Sequence, residues 1–324
     1  RNRAVTDVFE PGSTVKPFTI IAALESGKFQ SDSVIDTSPG YVRIGSKTLV
    51  DPVNYGVLDM EHILKKSSQV GISKMSLVLN EQWVWEVFQR IGLGRSTGSG
   101  FPGESNGVLP NHPNWLPIER ANFAFGYGLS VTALQLAQAY GVLATGGVLR
   151  PVSLIQREEQ AQSHRVISES IATRVAGMLE SVTRPGGTGT RASIDAYRVA
   201  GKTGTSNGQR DSWFAGFAGN RLAVVWMGRD DNAKLPFTGS GGAVRAWTDY
   251  IRRDKPEPFL AAYPEGVEYH WIDEKSGYLS HEMCQGARQV PFLAGTQPRQ
   301  EVDCGQRDPV KRSFRWFQQW FRTE

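Results

Sequence analysis

Leu134, Leu136, Ala137, Tyr140 and Leu143 recur on one face of a helix over 132–145, and Gly146-Gly147 stops it. The same period predicts helices over 81–92, over 168–182, and over 242–253, where Val244, Trp247 and Ile251 share a face. Near the start, the loop Glu10-Pro11-Gly12-Ser13 enters an apolar helix carrying Phe18, Ile20, Ile21 and Leu24 and ending at Gly27. The stretch 58–79 also reads as helical but is interrupted near Ser67, which puts Ser67 and Gln69 on a connection between two helices.

Elsewhere the pattern becomes that of strands. Residues 197–200, 211–218 and 222–228 form apolar runs with a turn at Gly219-Asn220, an antiparallel meander. Between 36 and 57, Pro, Gly and polar residues surround a short piece, Tyr41-Val42-Arg43-Ile44, which predicts loops and a small hairpin. The fold class is therefore α/β in the α+β sense, an antiparallel sheet flanked by helices. Lys255-Pro256-Glu257-Pro258 marks a linker, giving a main domain over 1–255, a small β-rich module over 256–305 and a basic-aromatic tail over 306–324.

Two short motifs carry the chemistry. Ser13 and Lys16 are three positions apart, one helical turn, so both side chains leave the same face and the amine can serve the hydroxyl as a base. Lysine does this only when neutral, and burial together with a second cation lowers its pKa; Lys202 is the candidate second cation. Lys202-Thr203-Gly204-Thr205 lies on the first strand of the meander, where Gly204 is expected to let a substrate backbone approach closely. The hydroxyls of Thr203 and Thr205 are expected to hold a carboxylate beside Lys202, so the implied ligand is an extended peptide with a free C-terminus. Backbone N–H groups of Ser13 and Thr205 are the expected oxyanion hole, and the reaction class is acyl transfer through a serine ester.

With these motifs the chain resembles the penicillin-binding proteins, the serine D,D-transpeptidases that cross-link peptidoglycan and are acylated by β-lactams. The resemblance implies a five-stranded antiparallel sheet covered by helices, with the nucleophile beside the strand bearing Lys-Thr-Gly. It also implies a third motif, Ser-x-Asn, matched here by Ser67-Ser68-Gln69. Ser67 would relay protons between the two lysines and the leaving group, while Gln69 replaces the asparagine that would bind a substrate carbonyl. Tyr127, in Phe125-Gly126-Tyr127-Gly128, is a candidate for the cleft border or equally a core tyrosine. The segments up to about Thr205 look like the monofunctional class B enzymes of division. Asp211-Ser212-Trp213-Phe214 and Trp226-Met227-Gly228-Arg229-Asp230-Asp231-Asn232 look like the bifunctional class A synthases, which suggests a composite chain. Only Arg1 to Gly12 precede Ser13, so the first strands of the implied sheet are expected to be missing.

Composition narrows the alternatives. Among 324 residues, 40% are hydrophobic and 21% charged, which suits a globular protein with a sizeable core. A net charge of +4 without a basic stripe gives no nucleic-acid reading. Five scattered histidines and two cysteines lack metal-ligand spacing, so no metal or cofactor is expected. Cys284 and Cys304 would close a loop of about 20 residues as a disulfide adding roughly 3 kcal/mol, or stay as two unpaired buried thiols. No apolar run reaches membrane-spanning length, so the periplasmic face of the inner membrane follows from the resemblance alone, with the anchor expected upstream. The expected partners are peptidoglycan stem peptides, β-lactam antibiotics and proteins of cell-wall synthesis or division. The tail, with Phe314, Trp316, Phe317, Trp320 and Phe321 among cations, suits either a membrane surface or packing on the domain. The alternatives to a transpeptidase are a D,D-carboxypeptidase and a non-catalytic β-lactam-binding module.

Overall fold

The computed structural model describes residues 1–155, 162–195, 197–257, 267–282, 284 and 286–302. In chain order the elements are α1 (Arg3–Thr6), a 3-10 turn (Gly12–Val15), α2 (Lys16–Glu25), β1 (Val34–Asp36), β2 (Tyr41–Ile44), β3 (Lys47–Val50) and β4 (Val57–Asp59). Then come α3 (Met60–Lys66), α4 (Gln69–Val78), α5 (Trp83–Arg90), α6 (Pro117–Ala124), α7 (Ala133–Ala144), β5 (Val148–Leu149), β6 (His164–Arg165) and α8 (Glu169–Thr183). The meander β7 (Val199–Thr205), β8 (Ser212–Ala218) and β9 (Arg221–Met227) precedes α9 (Ala243–Asp254), β10 (Val267–Asp273) and β11 (Ala287–Leu293).

Local chemistry sets the helix starts. The Thr132 hydroxyl accepts from Gln135 N and the Gln135 side chain accepts from Thr132 N, a reciprocal cap that opens α7 at the predicted place. Ser168 caps α8 and Asp59 caps α3 in one direction, each side chain accepting from the backbone N–H of the third residue on.

The central sheet has strand order β7-β8-β9, antiparallel throughout, with Lys202 opposite Ala215 and Trp213 opposite Trp226. Period two along β8 divides its side chains. Trp213 and Ala215 join the large core formed by α2, α3, α4, α5, α7 and α8, whereas Phe214 and Ala218 pack against Trp247 and Ile251 of α9. Helices thus cover both faces, and β7 is an edge strand among the described residues.

The chain forms two compact units, Arg1–Phe259 and Leu260–Glu324. In the second, β10 and β11 pair from Val267↔Leu293 to Asp273↔Ala287, and Leu279 bridges to Ile272 and Glu301. Cys284 is in a disulfide; Cys304 and the tail over 306–324 lie outside the described residues.

Candidate active site

From Pro11 through Leu24 every residue is buried except Ser13. Ser13 does not stand at the N-terminus of α2, as the sequence predicts, but inside the 3-10 turn Gly12–Val15, and α2 proper starts at Lys16. The tighter turn still leaves Ser13 and Lys16 three residues apart at the mouth of α2, with the lysine inside and the serine reachable.

The turn is held from four sides. Trp213 Nε1 donates to Glu10 O at 3.0 Å, Tyr140 Oη to Thr14 O at 2.8 Å, Gly12 N to Gly126 O at 3.1 Å, and Gly128 N to the Glu10 carboxylate at 3.1 Å. Tyr127 therefore sits in a segment stitched to the nucleophile turn, half-buried with its ring edge-on to Phe125 at 5.0 Å. Burial pushes its phenol above the usual range.

Gly126 adopts φ +95°, and a Cβ there would lie 2.1 Å from Gly12 O. Gly126→Ala should therefore displace the turn, cost on the order of 1–3 kcal/mol or more, and slow any reaction at Ser13. A thermal melt together with a penicillin-adduct time course measures both effects.

Lys16 and Lys202 come from α2 and β7, both are fully buried, and both meet Ser67. Lys16 Nζ donates to Ser67 O at 2.5 Å and to Ser67 Oγ at 3.3 Å; Lys202 Nζ donates to Ser67 Oγ at 3.0 Å and to Thr203 O at 3.1 Å. Ser67 adopts the left-handed conformation, φ 58°, which costs a serine roughly 1–2 kcal/mol. That conformation turns its carbonyl and hydroxyl toward the amines between α3 and α4.

Burial lowers the Lys16 amine to about 7, against an upward pull from the Asp51 carboxylate. Lys202 lies well below the ordinary lysine range, first through burial and then through the charge of Lys16. A hydroxyl shared by two such amines can accept from one and donate to the other, which is what a proton relay requires.

Sequence reasoning missed Asp51. Only 4% exposed, it lies between β3 and β4 and accepts from Gln69 N at 2.6 Å, Val70 N at 3.2 Å and Ser68 Oγ at 2.5 Å. It thereby caps α4 together with Ser68, whose hydroxyl accepts from Gly71 N at 2.8 Å. Gln69 is the first residue of α4, not part of a loop as the sequence predicts, and its half-buried side chain starts from that capped turn. An isolated aspartate in a polar loop carries no local signal of this role, because its partners are 17 to 19 positions away.

The structure adds a second reason for Gly204. A Cβ there would meet Thr14 Cγ2 at 2.7 Å and Pro11 O at 2.8 Å, so the bare strand receives the nucleophile turn of the chain itself. Gly12, φ +53°, lies equally close on Thr205, its Cβ position 2.7 Å from Thr205 O, which brings the two segments of the expected oxyanion hole together. Thr205 Oγ1 accepts from Gly239 N at 3.0 Å, and Thr203 Oγ1 is 2.7 Å from Thr188 Oγ1. No cluster of three or more metal-ligating side chains occurs among the described residues.

The family model for the penicillin binding protein transpeptidase domain matches residues 1–247. The chain belongs to that family. Within it, this transpeptidase domain is 44% identical over 206 residues to the peptidoglycan D,D-transpeptidase FtsI of Escherichia coli K12, covering 64% of this chain and 35% of that protein. The probable peptidoglycan D,D-transpeptidase PbpC of Pseudomonas aeruginosa is 42% identical over 228 residues, covering 70% of this chain and 40% of that protein. The chain thus spans little more than a third of the length of these relatives.

Among solved structures, a peptidoglycan glycosyltransferase from Burkholderia ambifaria superposes with a TM-score of 0.71 at 34% identity, covering 80% of this chain and 83% of that one. The apo TP domain of penicillin-binding protein 3 from Burkholderia pseudomallei gives 0.71 at 32%, with the same coverage. These matches support the class B side of the sequence resemblance. They give no support to a class A origin for the part after Thr205, since one transpeptidase match runs from residue 1 to 247.

Proposed function

We propose that this transpeptidase domain forms an acyl-enzyme on Ser13 from the penultimate D-Ala of a peptidoglycan stem peptide and passes it to the amine of a second stem. Ser13 Oγ attacks the carbonyl while Lys16, neutral, takes its proton; the backbone N–H groups of Ser13 and Thr205 receive the oxyanion. Ser67 and Lys202 return a proton to the departing D-Ala amine. The acceptor amine then attacks the ester and D-Ala has left, so the peptide bond lost is replaced by the cross-link. β-Lactams acylate the same serine. The observation that carries this reading is Ser67 Oγ held between two fully buried amines, at 3.3 and 3.0 Å, behind the one accessible residue of the turn.

Intact-mass analysis after incubation with benzylpenicillin tests it. A single adduct is expected, lost in Ser13→Ala, and its absence from folded protein would refute the reading. Slow loss of the adduct over time distinguishes a transpeptidase from a hydrolase.

Gln69 bears on the rate. The glutamine amide is one methylene longer than the asparagine it replaces, so its contact with a substrate carbonyl comes from a displaced position. Displacement of about 1 Å costs on the order of 100-fold. Gln69→Asn is therefore expected to speed acylation at least severalfold, read as the second-order rate with a fluorescent penicillin; an unchanged rate removes Gln69 from substrate contact. The periplasmic setting and partners of the division machinery rest on the family resemblance. No helix among the described residues is long and apolar enough to cross a membrane.

A further inference from the structure

A cleft of about 650 Å³ opens where the start of the chain, the β7–β8 connection and the residues after β9 meet. Glu10 and Ser206 line it, the first three positions before Ser13 and the second next to Thr205, so it adjoins the acylation site at the end of β7 remote from Lys202. The reaction at Ser13 uses none of its side chains. Its apolar wall is Phe9 stacked on Trp226, ring centroids 3.8 Å apart and planes 15° from parallel.

Charge around the cleft is unevenly matched. Arg1 pairs with Asp7 at 3.0 Å, Arg3 with Asp230 at 2.5 Å and Arg229 with Asp231 at 2.6 Å, which neutralises those cations. Arg210 is exposed and has no ion pair among the described residues, although its connection is tied down: Ser206 N donates to Asp211 O at 3.2 Å, Asp211 N to Ser206 Oγ at 2.9 Å and Leu235 N to Gln209 O at 2.8 Å. Glu10 and Asp211 are the opposite case. Their carboxylates accept from Gly128 N at 3.1 Å and from Trp226 Nε1 at 2.9 Å, and neither meets a cationic side chain among the described residues. The cleft therefore offers a guanidinium and two carboxylates, each short of a counter-charge, around an apolar wall.

We propose that this cleft binds a side chain of the acyl donor that carries both an ammonium and a carboxylate on an aliphatic stem, Arg210 taking the carboxylate and Glu10 with Asp211 the ammonium. The assignment rests on the acyl-transfer reading above. An extended donor with its free carboxylate toward Lys202 and its reacting carbonyl at Thr205 runs on past Ser206, so the residue before the acylated one is the one that reaches the cleft. The aliphatic stem lies on the Phe9–Trp226 wall. A donor whose side chain lacks either charge leaves part of the cleft unmatched, which is the basis of selection between donors.

A penicillin's amide side chain continues from its reacting carbonyl in the same direction, so three penicillins test the assignment: penicillin N, whose aminoadipyl chain bears both charges, its adipyl analogue, which lacks only the ammonium, and benzylpenicillin, which is neutral there. Intact-mass time courses on the whole chain give each acylation rate, and the first two are read as ratios to benzylpenicillin, which cancels any general change at Ser13. Wild type should react with penicillin N about threefold to tenfold faster than with the adipyl analogue. Arg210→Ala should lower both ratios by about the same factor. Glu10→Gln combined with Asp211→Asn keeps the acceptor oxygens and should lower the penicillin N ratio while leaving the adipyl ratio at or above its wild-type value. A wild type that treats the three compounds alike, or ratios that neither variant moves, would overturn the proposal. No adduct from any of the three on wild type would instead sink the acyl-transfer reading itself.

Discussion

Lys16→Met is expected to leave a folded protein whose Ser13 is acylated by a fluorescent penicillin about 10²–10⁴-fold more slowly. The two effects separate because the site is costly to the fold. Lys16 is 0% exposed and burial has driven its pKa to about 7, so an apolar chain of similar length removes a desolvated amine from the core. The loss of its bond to Ser67 O offsets part of that gain, and the melting temperature should move little.

Chemistry has no such compensation. Without Lys16 the nearest amine to the relay is Lys202, which hydrogen-bonds to Ser67 and to its own strand. In wild type the rate should rise with pH through a midpoint near 7, as Lys16 loses its proton and becomes a base. The Asp51 carboxylate from the β3–β4 connection pulls the Lys16 pKa up against burial, while the charge of Lys16 in turn lowers that of Lys202 on β7. In Lys16→Met this limb should vanish from the residual rate. A residual rate within threefold of wild type would mean that Lys16 is not the base.

The sequence made parts of this site plain and hid others for physical reasons. Ser13 with Lys16, and Lys202 with its threonines, are visible because each motif encodes its geometry within one turn or one strand. The meander was equally visible, since residues 211–218 and 222–228 form apolar runs around the Gly219-Asn220 turn, against β8 at Ser212–Ala218 and β9 at Arg221–Met227. Helix α6 was overlooked although Pro117 at its first position and Glu119 bonding back to Leu116 N are start signals; its eight residues are too few for periodicity to stand out. The packing of Gly204 against the chain's own Thr14 and Pro11 is not legible in sequence, because a glycine cleared for a neighbouring segment looks the same as one cleared for a substrate. Asp51 is illegible because it acts through partners 17 to 19 positions away, and the residues around it look like ordinary polar loop.

Asp51→Ala should be the most disruptive single change outside the reacting groups. It strips Gln69 N, Val70 N and Ser68 Oγ of their acceptor at a buried position, and water cannot readily replace it where the residue is 4% exposed. Loss of a helix cap costs about 0.5–2 kcal/mol and loss of charge-assisted bonds about 1.5–3, so a total of about 2–4 kcal/mol is expected, read as a fall in melting temperature of roughly 5–10 °C. The loosened turn carries Ser67, so acylation should fall as well.

Asp51→Asn separates the two roles. It preserves volume and one acceptor oxygen but removes the negative charge that holds the Lys16 pKa up, so that pKa should fall further below its ordinary value. Lys16 then becomes neutral at lower pH, and the acid limb of the acylation profile should move to lower pH while its plateau drops. A plateau that drops with no movement of the limb would assign Asp51 to holding the α4 turn alone and remove it from the electrostatics of Lys16.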